Sequence, residues 1–544
     1  MPKVLVVDDN AAAYNGALAQ QICDRLRASE AVETADIVTA PDDLAARLGG
    51  PDCVLVYLPK LNVKADRIPD VAAAKQVFQA AAQTGTGQVV VVSCAAIYGT
   101  RPHNPGLITE SLRRSRNVGN AIAYGWIDLE ECAEAYLPEP TRLVLLRPVT
   151  VPGRGEMVFF ERLFNGRFAR VVAGHDPTLQ FLSPADLAQA ICLAVEAQAA
   201  GVYNVAPDDV IPLRPALRLA GVRRVPLPMP DTNRDFIRYV WTVSNAKIKD
   251  EWGFEPQRSS VDALRDYLAK RKGKPVPALD ESFDFFGLDK EYTDVYARTV
   301  WAFLRHIYWR VEYDGLEHVP TQGKAILAGV HRGFMPLDAV TLYMLLAKEM
   351  GRYARFLIHP TLIKFPFQFN FMRKLGGIIA NQENADWVLQ RDQILGVYPE
   401  GIRGAFTPIS QAYEVGRFGR NEFVRMALRH GAPIVPFVNV GAAEIFPIIA
   451  KIDWSWWKRF SMWPCFPIAP PFPLLPVPLP SKWHIQFLEP IPVGQLYPPE
   501  AADDRKIVKQ ISDQVRDRMY DSMQTLVKRR KSIFFGSVFK GQKA

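Results

Sequence analysis

The sequence predicts an α/β protein of two domains in tandem, the first a doubly wound parallel sheet. Three observations carry this. Short β-rich apolar runs alternate with helical patterns from the N-terminus to about residue 270, the sign of a parallel sheet covered by helices. A charged, proline-bearing stretch from Lys270 to Pro277 then breaks the alternation and reads as a linker. Beyond it, two further apolar runs each end in a polar, glycine-bearing turn. The expected division is residues 1–272, a linker at 273–290, and a second domain at 291–544.

The elements follow in order. Val4–Val7, Cys53–Leu58, Val89–Ser93 and Leu143–Leu146 are expected as strands, their unbroken apolar character matching burial on both faces. Ala17–Arg27 and Ala72–Ala82 are expected as helices. An aromatic-rich helical region starts near Glu291. The run Ala325–Val330 reads as a buried strand, and Pro336 is placed to open a helix with Asp338 in its first turn. Strands are expected at Leu375–Ala380, Ile394–Tyr398, Pro433–Val440 and from Lys482 to Pro490. The stretch Pro464–Pro480 has too many prolines for a helix.

At 544 residues, 49% apolar and 22% charged, the chain has enough material for more than one core. Its 65 basic and 57 acidic residues leave net +8, compatible with an anionic surface or ligand. No recognition-helix pattern or basic–aromatic repeat points to nucleic acid. Cys23, Cys53, Cys94, Cys132, Cys192 and Cys465 lack CxxC spacing and read as reduced core residues. The scattered histidines show no metal-ligand spacing, so no metal is expected. With no signal segment read at Met1 and no apolar run of about 20 residues, the expectation is a cytoplasmic protein.

His331 and Asp338 stand just past the apolar run, and Tyr398-Pro399-Glu400-Gly401-Ile402-Arg403 stands at the end of another. A histidine held by a carboxylate suits the removal of a proton from a hydroxyl that attacks a carbonyl. A glycine-flanked turn with an arginine suits an anion. Together these features suit acyl transfer to an alcohol.

On these residues the C-terminal half, over roughly 290–500, resembles the glycerolipid (phospholipid/glycerol) acyltransferase superfamily. That superfamily usually carries His-x4-Asp as its first block and Pro-Glu-Gly-x-Arg as its third. Here Asp338 lies seven residues after His331, and His331, Gly333, Pro336 and Asp338 instead fit a His-x-Gly-x-x-Pro-x-Asp variant found in the branch resembling monoacylglycerol acyltransferases. Leu375–Ala385 resembles the second block and Gly431–Gly441 the fourth. The resemblance implies His331 as general base, oriented by Asp338. It implies substrate contacts at Gly333, Asn381, Glu400, Gly401 and Arg403, and acyl-CoA or acyl-carrier protein as donor. No cofactor is required for the transfer. Members acting on phosphorylated acceptors often carry an arginine after the second-block strand. Asn381 and Gln382 stand there instead, so a neutral or glycosylated lipid alcohol is expected.

The first half, over roughly 1–268, resembles the NAD-dependent epimerase/dehydratase family of extended short-chain dehydrogenases, which implies a Rossmann-like fold. Val91–Gly99, Leu146-Arg147-Pro148, Phe181–Ala188, Gly201–Val205 and Gly253–Pro256 carry the likeness. That family needs a glycine-rich turn after its first strand. Here the turn is Asp8 to Gly16, where only Gly16 is retained and Asn10 and Ala13 fill the other glycine positions. Its Tyr-x-x-x-Lys pair matches Tyr124 and Asp128, and an acid there opposes tyrosine ionisation. The domain is therefore expected to be degenerate, with Gly16 and Tyr124 as the remaining cofactor-binding positions and NAD(P) binding doubtful.

A lipid acceptor implies peripheral contact with the inner face of a membrane. Asp453–Phe460, with Trp463 just after, sets tryptophans beside Lys458 and Arg459. Tyr296–Trp309 and the basic run Lys528–Lys531 are further candidates. Two other readings stay open. One is a bifunctional enzyme whose first domain prepares the acceptor by NAD(P)-dependent chemistry, and the other a non-catalytic lipid-binding scaffold.

Overall fold

The computed structural model describes all residues except 9–15, 39–43, 63–67, 103, 115, 117–120, 155–157, 228–235, 280–282, 334, 420, 462 and 540–544. The chain divides into two compact units, Met1–Gly287 and Leu288–Ala544.

In the first unit, six strands among the described residues form one sheet: β1 (Lys3–Asp8), β2 (Thr34–Val38), β3 (Cys53–Leu58), β4 (Gln88–Val92), β5 (Arg142–Pro148) and β6 (Gly201–Val205). The order is β2-β1-β3-β4-β5-β6, with every pair parallel. Residues of β3 and β4 are buried throughout, as both faces are covered. The covering helices include α1 (Gly16–Arg27), α2 (Val71–Thr84) and α3 (Ala121–Tyr136). Asp70 caps α2 by accepting from the Ala73 amide at 3.2 Å, and Gly85 ends the helix in the left-handed conformation.

This core has a buried polar centre. Arg147 of β5 donates twice to Glu130 of α3, at 2.9 and 2.6 Å, and once to the Tyr98 hydroxyl at 2.8 Å. Tyr98 in turn donates to Asn204 of β6 at 2.8 Å. Two tyrosine- and arginine-bearing motifs of the epimerase resemblance thus serve to tie a helix to the sheet.

The expected linker begins later than composition suggests. Lys270, Arg271 and Lys272 form the last turn of α4 (Ser260–Lys272), where cations complement the helix dipole, and Gly273 caps it. Val276, Leu279 and Phe283 then pack on the core of the first unit.

The second unit opens with α5 (Lys290–Tyr296), which continues in π-helical turns to Tyr308. Trp301 and Trp309 of this region are buried, and Trp309 stacks on Trp483 at 4.6 Å. These two tryptophans, expected as membrane-facing, are core residues. Seven strands form the sheet: β7 (Glu312–Asp314), β8 (Ala325–Gly329), β9 (Arg355–Ile358), β10 (Gly377–Ile379), β11 (Ile394–Val397), β12 (Ile434–Val440) and, after a separate hairpin, the strand His484–Phe487. That hairpin consists of β13 (Ala450–Ile452) and β14 (Phe466–Ile468), so His484–Phe487 is β15. The sheet order is β7-β15-β12-β8-β11-β9-β10, with only the β12–β15 pair antiparallel. No helix among the described residues is long and apolar enough to cross a membrane.

Candidate active site

Four sequence blocks share one sheet edge because their strands are parallel. His331 follows β8, Glu400 follows β11, Asn381 follows β10 and Gly441 follows β12, so all four lie at the carboxyl edge of one sheet. This edge is where ligands of open α/β sheets bind. Strands β8 and β11 are direct neighbours, which sets the His331 block beside Glu400 and Arg403. Strand β10 is three places from β8, roughly 14 Å away at about 4.8 Å per strand. Asn381 is therefore distant from His331.

Pro336 caps α6 (Leu337–Glu349), and Asp338 stands in its first turn. Gly333, at φ +85°, turns the chain back so that His331 Nδ1 lies 2.6 Å from Asp338 Oδ2. Asp338 also accepts from its neighbours, the Arg332 amide at 3.3 Å and the Ala339 amide at 2.8 Å. A carboxylate acceptor places the proton on Nδ1 and leaves the Nε2 lone pair as the basic site. The His331 ring stacks on Tyr398 at 4.6 Å, and Phe356 and Phe437 pack against the Tyr398 ring. Burial and the nearby Asp338 hold the Tyr398 hydroxyl well above the ordinary tyrosine range, so it remains a donor. Its oxygen is buried with no hydrogen-bond partner among the described residues.

Arg332 was not singled out by the sequence reading. Its guanidinium is only 2% exposed and donates to the carbonyl oxygens of His331 (2.7 Å), Ala412 (2.8 Å) and Glu414. It also grips Glu400 with two bonds, at 2.6 and 3.2 Å. Glu400 Oε1 accepts in addition from the Gly416 amide at 2.8 Å. Glu400, expected at the anionic part of the substrate site, has both carboxylate oxygens engaged by Arg332. A sequence signal existed: opposite charges directly after two adjacent buried strands need a partner, and each is the other's.

Gly401 has φ +60° and ψ −154°, a region open essentially to glycine alone, and it opens the short helix α9, here counted after α7 (Pro366–Lys374) and α8 (Gln382–Gln390), at Ile402–Ala405. Arg403 on α9 is exposed, and its guanidinium makes no hydrogen bond or ion pair among the described residues. Asn381 caps α8, accepting from the Asn384 amide at 2.8 Å, and its Nδ2 is buried without a partner. Gln382 bonds Asp386 at 2.9 Å.

In the first unit, the two residues at the family's Tyr-x-x-x-Lys positions are engaged with Arg116. The Tyr124 hydroxyl donates to the Arg116 carbonyl, and Asp128 pairs with the Arg116 guanidinium at 2.6 Å. Gly16 begins α1, while Asp9, Asn10 and Ala13 lie outside the described residues. Among the described residues, the acid at Asp128 does not fit the lysine role of dinucleotide redox chemistry. No cluster among the described residues has the makeup of a metal site.

A family model described as Acyltransferase matches residues 310–440. An uncharacterized protein of Mycobacterium tuberculosis, Rv0502, is 35% identical over 263 residues, covering 47% of this chain and 73% of that protein. Phytyl ester synthase 2, chloroplastic, of Arabidopsis thaliana is 29% identical over 141 residues, 25% of this chain and 20% of that one. Among solved structures, MoeE5 in complex with UDP-glucuronic acid and NAD is similar at 16% identity and TM-score 0.39, over 50% of this chain and 99% of that chain. DesIV, a dTDP-glucose 4,6-dehydratase from Streptomyces venezuelae, is similar at 19% identity and TM-score 0.39, over 50% and 97%. With the His331–Asp338 pair inside the matched span, and with a relative matched over most of its length, this chain belongs to the acyltransferase family.

Proposed function

We propose that the protein transfers a fatty acyl group from a thioester donor, acyl-CoA or acyl-carrier protein, to the hydroxyl of a neutral or glycosylated lipid alcohol. The observation that supports this most is the 2.6 Å bond between His331 Nδ1 and Asp338 Oδ2, at the carboxyl edge of the sheet. Nε2 takes the acceptor's hydroxyl proton as the oxygen attacks the thioester carbonyl. Asp338 fixes the ring and stabilises the imidazolium that forms. When the tetrahedral intermediate collapses, the C–S bond breaks and the imidazolium returns its proton to the departing thiolate. The products are an ester and a free thiol, and no acyl-enzyme is needed. Arg403, exposed beside this edge, is available to a phosphate of the donor.

The test is steady-state transfer from one acyl-CoA, offered a neutral lipid alcohol and lysophosphatidic acid in parallel. His331→Ala is expected to lower turnover by about 10² to 10⁴-fold, the range for a lost general base, with an unchanged melting temperature. Asp338→Asn should be impaired as well, because an amide no longer fixes the histidine tautomer. Wild-type turnover in both variants would remove His331 from the mechanism. Preference for lysophosphatidic acid would overturn the acceptor class and leave acyl transfer standing.

A further inference from the structure

Between Ile449 and Pro480 the second unit exposes a run of large apolar side chains, from Ile449, Trp454 and Trp456 to Leu474 and Leu475. The β13–β14 hairpin carries the short helix α11 (Ser455–Ser461; α10 is Glu422–His430). One side of it has its own aromatic core, where Trp457 meets Phe466 at 5.0 Å and Trp463 at 5.5 Å. The other side presents Trp454, Trp456 and Phe460 to solvent, with Trp456 67% exposed and stacked on Phe460 at 5.8 Å. Trp463 fastens the hairpin inward, packing on Phe365 at 5.3 Å and on Phe406 at 5.4 Å, the residue that ends the Arg403 helix. The exposed side therefore stands next to the rim of the site.

The following run, Pro464 to Pro480, is 17 residues long and has no charged side chain. Leu474 in it is 91% exposed, and Leu475 and Val477 are exposed too. Eight of the 17 are prolines. Irregular chain entering hydrocarbon leaves its amide donors unsatisfied, at a cost of several kcal/mol each, and proline has no such donor. That relief counts most in hydrocarbon, since at a protein interface partner carbonyls or water can satisfy the amides. The charges agree. From Ile449 to Pro480 there are three cations, Lys451, Lys458 and Arg459, and one acid, Asp453, which is held by Lys458 at 2.5 Å. Tryptophan with lysine or arginine favours the headgroup layer, and leucine the layer beneath.

We propose that the exposed side of the β13–β14 hairpin and the proline run form a docking surface for an anionic lipid bilayer, seating the site rim at the headgroup layer. This rests on the acyl-transfer reading for its purpose, since a lipid acceptor must be collected from a bilayer.

The test is co-sedimentation of the full chain with vesicles of phosphatidylcholine alone or with added phosphatidylglycerol. Wild type is expected to bind the anionic vesicles at least tenfold more strongly than the neutral ones. The triple variant Trp454→Ala, Trp456→Ala, Phe460→Ala and the separate Leu474→Ser, Leu475→Ser variant should each lose at least tenfold in binding. Each should keep transfer to a water-soluble short-chain alcohol within twofold of wild type. The leucine pair is so exposed that it decides the matter even where the aromatic variant misfolds. Wild type that does not sediment, or leucine-pair binding equal to wild type, overturns the proposal. So does a wild-type dimer that the leucine pair dissociates, which would show a second copy covering the face. Vesicle binding without any acyl transfer would instead sink the acyl-transfer reading and leave the surface standing.

Discussion

Arg332 uses all five of its N–H donors, on three backbone carbonyls and the two oxygens of Glu400, and so joins the His331 turn to the Glu400 turn and the 412–416 loop. Removing one partner of a buried ion pair costs about 3–5 kcal/mol, because the other charge is left unpaired. Arg332→Met should therefore lower the denaturation free energy by that amount and reduce turnover, since the His331 carbonyl loses its anchor. The double variant Arg332→Met, Glu400→Gln should recover part of the stability and little of the activity. Equal stabilities for the single and double variants in urea titrations would show that the pair is not what holds the turns. The contact of His331 with Asp338 was legible because its motif is compact in sequence. The Arg332–Glu400 pair spans 68 residues and appears only when the strand order makes β8 and β11 neighbours.

At the scale of elements, β1, β3, β4 and β5 of the first sheet and β8, β10, β11, β12 and β15 of the second were legible as apolar runs, whereas β2, β6, β7 and β9, which carry charged or polar residues or are very short, were not called as strands. Less legible was what charged ends of elements do. The basic run Lys528–Lys531 illustrates this: Arg530 was expected to attract anionic lipid, yet it is buried against Glu444 and Tyr413 at the end of α12 (Arg505–Arg529). Beside it, β15 carries His484, fully buried with Nδ1 3.3 Å from Glu312 Oε2 on β7. The His484 pKa is lowered from 6.5 to about 4, chiefly by burial, with Glu312 opposing the shift and the Arg530 and Lys482 cations adding to it. Between these two values the unfolded chain binds a proton that the folded chain does not. The stability this gives is complete above pH 6.5 and is lost as the pH falls towards 4. Between pH 6.5 and 5 the loss should be about 1–2 kcal/mol, at about 1.4 kcal/mol per unit. His484→Gln should flatten melting temperature against pH over that interval, and an unchanged slope would assign the acid sensitivity to other groups.

For the molecule as a whole, two α/β units of similar size carry unequal chemistry. The second brings the hydrogen-bonded His331–Asp338 pair and the exposed Arg403 guanidinium to one sheet edge. The first directs its motif residues into structure: Tyr98 and Arg147 fasten α3 to the sheet, and Tyr124 and Asp128 both bond Arg116. Tyr124 donates its hydroxyl to a backbone carbonyl, and the acid in the family's lysine position, Asp128, is held by Arg116. Calorimetric titration of the full chain with NAD and with NADP should therefore show no micromolar binding, and Tyr124→Phe should leave acyl transfer unchanged. Micromolar affinity for either nucleotide would establish a retained pocket. Substrate-dependent hydride transfer that Tyr124→Phe abolishes would go further, making the protein a bifunctional enzyme whose first unit prepares the hydroxyl that the second acylates.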